Sequence, residues 1–160
     1  MNYVAELRRL VGTRPLILPG TSVLILDEEG RVLLVERTDI PGWGLPGGLM
    51  EPGESYETTG RREVREELGL ELDEVSLLDV FSGPEYYFRY DHGDEVFNVT
   101  AAFTAVARGE LRLREDELRS AAYFPVDALP DHIIDPELPI LRHYAEKCRR
   151  AAADPAADPR

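Results

Sequence analysis

The amino-acid sequence predicts an α/β or α+β sandwich, on three observations. Runs rich in β-branched and aliphatic residues recur along most of the chain. Two stretches of helical character, 55–68 and 137–150, lie between and after them. An apolar stripe at helical spacing opens the chain. Strands and helices mixed in this way pack as layers around one core. At 160 residues a single domain is expected, drawn here over 1–150, and it is long enough to fold unaided.

The opening stripe is Tyr3, Val4, Leu7, Leu10 and Val11, at i, i+1, i+4, i+7 and i+8. It predicts a helix over about 3–11, stopped by Gly12 and Pro15. Residues 22–26 and 32–36 read as strands, with Asp27, Glu28, Glu29 and Gly30 as the turn of a hairpin. Residues 39–53 hold Pro41, Gly42, Gly44, Pro46, Gly47, Gly48, Pro52 and Gly53, which marks a tightly turned loop. The helix over 55–68 ends at Gly69 in the usual C′ place.

Residues 75–81, 86–90, 96–107 and 121–125 read as further strands, with a turn at 91–94. A short helix is expected to begin at 127–129. The tail AAADPAADPR, 151–160, is predicted to be disordered. There is no internal repeat.

Composition narrows the partners. Eighteen basic against 31 acidic residues leave a formal charge of −13. Long nucleic acid and anionic membranes both need a positive field, so neither is an expected partner. A small phosphorylated substrate stays compatible if a divalent cation inverts the local field. The lone Cys148 makes no disulfide within the chain. No secretory leader or apolar run of about 18 residues is visible, so the expected location is the cytoplasm. A homodimer is an open expectation, resting only on how common such assemblies are.

The chemistry is carried by 48–70, GLMEPGESYETTGRREVREELGL. On an ideal helix Glu63, Glu66 and Glu67 fall within an arc of about 100°. Three like charges on one arc repel. Hard carboxylate oxygens so placed suit Mg²⁺ or Mn²⁺, which keep waters and take substrate phosphates as further ligands. A bare acidic cluster would more often be a solvated face.

The skeleton weighs against that. Gly48, Glu54, Arg62, Glu63, Glu66, Glu67 and Gly69 stand at every fixed position of G-x5-E-x7-R-E-U-x-E-E-x-G-U, U being aliphatic. Seven specified residues at roughly 1 in 15 each match by chance about 10⁻⁸ of the time per start site. The stretch resembles the Nudix box, and the chain is identified on it as a member of the Nudix hydrolase family. The lead-in VLLVERTDIPGWGLPGG and the later YFPVDALP are similar to the flanking segments of many members.

The resemblance implies an α/β/α sandwich around a mixed sheet. It implies Mg²⁺-dependent hydrolysis (with Mn²⁺ as substitute) of a phosphoric anhydride in a nucleoside diphosphate linked to another moiety. ADP-ribose and nucleotide sugars are examples of that class. A MutT-like nucleoside triphosphate pyrophosphohydrolase is the alternative of the same class, and a non-catalytic Nudix-fold nucleotide-binding sensor the alternative of another class.

It further implies that Glu63, Glu66, Glu67 and the Gly47 carbonyl hold metal. Arg62 would pair with Glu54 to organise the loop. The general base is left open between Glu63, Glu66 and Glu117, the last chosen by its spacing before the late strand. Relatives often carry a glutamate nearer that strand, where this chain has Ser120. Arg37 is a candidate for substrate phosphate and Trp43 for the base, although packing explains a lone Trp as well. The aromatic run Tyr86, Tyr87, Phe88 and Tyr90 offers a stacking surface or ordinary sheet packing.

Overall fold

A computed structural model describes residues 2–154 and residue 156. Helix α1, Tyr3–Val11, is capped by the Asn2 side chain, which accepts from the Ala5 N–H at 3.0 Å. None of its residues is fully buried, and it is pinned to its own chain rather than left free. Arg8 donates to the Glu95 carbonyl at 2.6 Å and lies 3.3 Å from the Asp94 carboxylate.

Strands β1 (Leu16–Ile25), β4 (Gly47–Leu49), β5 (Glu71–Phe81), β6 (Tyr87–Arg89) and β7 (Glu95–Arg108) form one sheet, in the order β4-β1-β7-β5 with β6 also on β7. Strands β2 (Val32–Arg37), β3 (Trp43–Gly44) and β8 (Leu118–Phe124) form a second, ordered β3-β2-β8. The β1–β7 pair is parallel and the other pairs antiparallel, so the fold is mixed, as expected. Helix α2 (Tyr56–Leu68) covers one side of β1 and β2, where Val23, Ile25, Leu33 and Val35 meet Val64 and Leu68. Helix α3 (Leu138–Ala153) covers the other, where Leu24, Val32 and Leu34 meet Ile140 and Leu141. A strand buried on both faces carries a continuous apolar run instead of an alternating one, and 23–25 is such a run.

Several boundaries differ from the sequence reading. β1 starts at Leu16, six residues before the expected strand, because parallel pairing with β7 carries it through Pro19 and Gly20. The expected helix at 127–129 is a turn, closed by the Ala128 N–H on the Pro125 carbonyl. Tyr86 belongs to a short 3₁₀ turn, Pro84–Tyr86, and not to the strand that follows. α3 runs to Ala153, so the first three tail residues continue the helix. Positions 155 and 157–160 of the expected disordered tail lie outside the described residues.

Gly60 explains how α2 sits so close to β1. A Cβ there would meet the Thr21 Cγ2 at 2.9 Å and the Val23 Cγ2 at 3.2 Å. No helix among the described residues is long and apolar enough to cross a membrane.

Candidate active site

The loop that leads into α2 is held by one carboxylate. The Glu54 Oε2 accepts from the Glu51 N–H at 3.0 Å, the Thr59 hydroxyl at 2.8 Å and Arg62 at 3.0 Å. Its Oε1 accepts from the Arg62 Nε at 2.5 Å. The Arg62 guanidinium, with these backbone and hydroxyl donors, holds the Glu54 carboxyl down at about 2. Arg62 also donates to the Leu49 carbonyl at 3.1 Å and to Glu63 at 2.8 Å. A planar fork with several donors can clamp loop and helix together in this way. The helix itself is capped by Ser55, which accepts from the Thr58 N–H, and ends on Gly69 at φ 69°.

Glu63 and Glu67 then project from one turn of α2 toward β4. Glu67 is 2 % exposed, and its Oε2 accepts from the Gly47 N–H at 3.2 Å. Burial first, and then the nearby Glu63 charge, push the Glu67 carboxyl up to about 8. The Arg37 guanidinium, 3.8 Å from its Oε1, pulls the other way. Burial also raises Glu63, against the Arg62 hydrogen bond. Glu66 is half exposed, 3.4 Å from Arg62.

Gly47 and Gly48 make this approach feasible. Gly47 sits at φ 152°, and a Cβ there would lie 2.0 Å from the Thr21 carbonyl oxygen. A Cβ on Gly48 would lie 2.4 Å from the Glu63 Oε1. The two substitutions should therefore part company. Gly47→Ala meets fixed backbone and should cost about 3 kcal/mol or more of stability. Gly48→Ala meets the end of a movable side chain, so it should keep the fold and weaken divalent-metal binding. Thermal melts beside metal titrations check both, and equal melting of the two variants would contradict this placement.

Glu117 stands immediately before β8. Leu118 pairs with Arg37 of β2, and the Thr38 N–H donates to the Glu117 carbonyl at 2.9 Å. Glu117 lies 3.3 Å from Arg114, and its charge reaches both Glu63 and Glu67. Arg37 is tied to Asp39 at 2.9 and 3.0 Å. Burial opposes its charge, but the Asp39 hydrogen bonds and the nearby Asp39 and Glu67 charges together outweigh that, so it holds its proton more tightly than usual.

These groups line one cavity of about 890 Å³. Its acidic wall is Glu63, Glu66, Glu67 and Glu117, and Arg37 also lines it. Other lining comes from Leu45, Ile134, Ile140, Phe88 and Tyr90. Trp43 is not brought to this cavity. Its ring packs edge-on against Phe124 at 5.1 Å, which is the packing role. Of the aromatic run, Phe88 and Tyr90 face the cavity, whereas Tyr86 packs on Phe81 in the core and Tyr87 on Phe97. Ser120 donates to Glu36 at 3.0 Å and adds no acid to the site. Sequence reasoning missed Glu137, which also lines the cavity, because nothing local in DPELPI distinguishes it from a solvated acid.

Among the described residues no three acidic, His or Cys groups are already gathered around one point as metal ligands. The donor chemistry nonetheless fits a hard cation. The buried Glu67 and the partly buried Glu63 are neighbouring like charges, each pushed toward its proton, and a divalent ion held by their oxygens would relieve that strain.

A family model described as the NUDIX domain matches residues 17–144. An ADP-ribose pyrophosphatase of Methanocaldococcus jannaschii is 32 % identical over 123 residues, covering 75 % of this chain and 69 % of that protein. An NAD-capped RNA hydrolase NudC of Pseudomonas aeruginosa is 30 % identical over 141 residues, covering 84 % of this chain and 46 % of its own. The chain also spans less than half of a Bacillus subtilis relative, 45 %, and of a Streptomyces ambofaciens MutT-like protein, 44 %. The solved MutT NUDIX hydrolase of Burkholderia pseudomallei superposes with a TM-score of 0.68 at 28 % identity, over 80 % of this chain and 98 % of that one. The chain belongs to the Nudix hydrolase family.

Proposed function

We propose that this chain is an enzyme that hydrolyses the anhydride of a nucleoside diphosphate linked to a second moiety, such as ADP-ribose or a nucleotide sugar, using Mg²⁺. The observation that carries the reading is the buried Glu67 beside the partly buried Glu63, on one wall of a cavity large enough for such a molecule. The likeness to an ADP-ribose pyrophosphatase over three quarters of the chain supports it.

Glu63, Glu66, Glu67 and the Gly47 carbonyl would hold the ion. Bound Mg²⁺ supplies positive charge toward diphosphate oxygens and acidifies water. Arg62 positions Glu63 and the loop through the bonds to Glu54 and the Leu49 carbonyl. Arg37 takes a diphosphate oxygen from its place beside Glu67. Glu117 accepts the proton of the attacking water, with Glu63 and Glu66 as the other carboxylates in reach of that role. The water oxygen bonds to phosphorus, the bridging P–O bond breaks in line, and the two phosphorylated halves leave.

A second reading, a nucleoside triphosphate as substrate, draws on the likeness to a MutT enzyme over nearly that enzyme's full length. Turnover of ADP-ribose, nucleotide sugars and the nucleoside triphosphates, with Mg²⁺, with Mn²⁺ and with chelator, separates the two. Metal-dependent release of a monophosphate and a phosphorylated sugar is the expected result. Pyrophosphate release from triphosphates alone moves the assignment to the second reading. Tight binding without any cleavage overturns both in favour of a sensor.

A further inference from the structure

Strand register sorts the larger sheet into two faces. Ile17 of β1 stands beside Phe97 of β7, and Phe97 opposite Tyr87 of β6. Further along the same face, Pro19 lies beside Val99, Val80 of β5 opposite Ala101, and Leu77 opposite Phe103. Residues two apart on a strand share a face, so these side chains stand on one side. Helix α2 covers the far half of that side, where Gly60 lies against Thr21, and Val23 and Ala105 pack with Val64 and Leu68.

The near half and the outer strand beside it are bare. Ile17 is 74 % exposed, Leu77 56 %, Val80 47 % and Phe97 38 %. The Tyr87 ring packs on Phe97 at 5.2 Å and extends the apolar surface onto β6. A strand face left to water ordinarily carries polar side chains. Here apolar groups expose about 400 Å², the size at which such a patch marks an interaction site. With a polar border of similar area it reaches the roughly 800 Å² per partner of a stable dimer.

Charge selects the occupant. A chain of formal charge −13 repels anionic lipid and nucleic acid, and the apolar patch itself offers neither of them a cation. One end of the patch holds a residue of each sign, Arg89 opposite Glu95 across β6 and β7. Arg89 is exposed, and Glu95 accepts from the Tyr87 hydroxyl at 2.5 Å. A two-fold axis sets residue i of one copy against j of the other, and j against i, so a border with both signs matches itself. We infer that this face docks a second copy of the chain, sheet face against sheet face across a two-fold axis. The intervening residues of β7, Asn98 and Thr100, line the cavity on the opposite face, so pairing leaves the cavity open.

Sedimentation velocity of the full chain across the micromolar range tests this. Wild type should sediment as a dimer, at twice the 18.0 kDa of one chain. Ile17→Lys should raise the dimer Kd about 10²-fold or more, because the substitution enters the interface twice. Val80→Lys, on another strand of the same face, should act alike. Both sites are exposed, so the melting temperature of the monomer should hold. Val106→Lys is the control, since Val106 is 43 % exposed on β7 but stands on the opposite face. All three variants shift the net charge equally, so general repulsion cannot separate them. The control should stay dimeric. A monomeric wild type would overturn the inference, as would a dimer intact in both I17K and V80K, or one that V106K splits equally. Monomeric wild type that floats with neutral phosphatidylcholine vesicles would give the face to lipid instead and overturn it too.

Discussion

Glu67→Gln is expected to make the metal-free protein harder to unfold while removing nearly all turnover. The Glu67 carboxyl rises to about 8 from an ordinary 4.5, with burial the leading cause and the Glu63 charge next. Between those values the folded protein holds a proton that the unfolded chain has released. Stability linked to this group is therefore fully present below about pH 4.5 and is lost as pH rises through about 8. Each pH unit in that window removes up to about 1.4 kcal/mol. Gln carries no such penalty and keeps an oxygen for the Gly47 N–H. In chelator, the variant's melting temperature should exceed wild type by about 5–10 °C at pH 8 and match it near pH 4.5. Mg²⁺ should raise the wild type and barely move the variant, because ligand binding stabilises only a protein that binds it. Turnover should fall by on the order of 10²–10⁴-fold. A variant that melts below wild type at pH 8 in chelator would show that Glu67 is not a strained acid.

The second large effect belongs to Arg62. Removing it leaves Glu54, 14 % exposed in its side chain, facing only neutral donors, and frees the loop from α2. Breaking a partly buried pair from one side should cost about 2 kcal/mol, toward the lower end for such pairs because both groups keep some water. Arg62→Lys should recover little. One ammonium cannot reach Glu54, Glu63 and the Leu49 carbonyl together. We expect kcat to fall about 10²-fold in both variants. Arg62→Ala combined with Glu54→Ala should cost less than the sum of the single changes, by about 1–3 kcal/mol. Additive losses would mean that the two residues act independently and that the clamp is not a unit.

The site's acidic wall was legible because its signal is local. Glu63, Glu66 and Glu67 lie within five residues on one helix, so helical spacing alone puts them on a face. Glu54 and Arg62 are also close in sequence, and the structure joins them as the resemblance implied. Glu117 could be chosen by spacing since it precedes β8, and the pairing of Leu118 with Arg37 carries it to the cleft. The opposite wall was not legible. Glu137 meets Leu45 across 92 positions, and no periodicity spans that distance. Its neighbour Pro136 belongs to a 3₁₀ turn that reads in sequence like any helix start.

The fold shows the same division. Helix limits at Gly12 and Gly69 were read correctly from their cap residues. The first six residues of β1 were missed because Pro19 and Gly20 punctuate them, and only the long partner β7 holds them extended. At 127–129 the flanking Pro125 and Pro130 close a turn where a helix was expected.

One tie has a mechanical consequence. Thr38 grips the far loop twice, its N–H on the Glu117 carbonyl and its hydroxyl on the carbonyls of Asp116 and Glu117. It directly follows Arg37 in the chain. The carboxylate that would receive a proton and the guanidinium that would hold a phosphate are thus geared to one peptide hinge. These bonds fix the 115–117 loop to the end of the strand that carries Arg37.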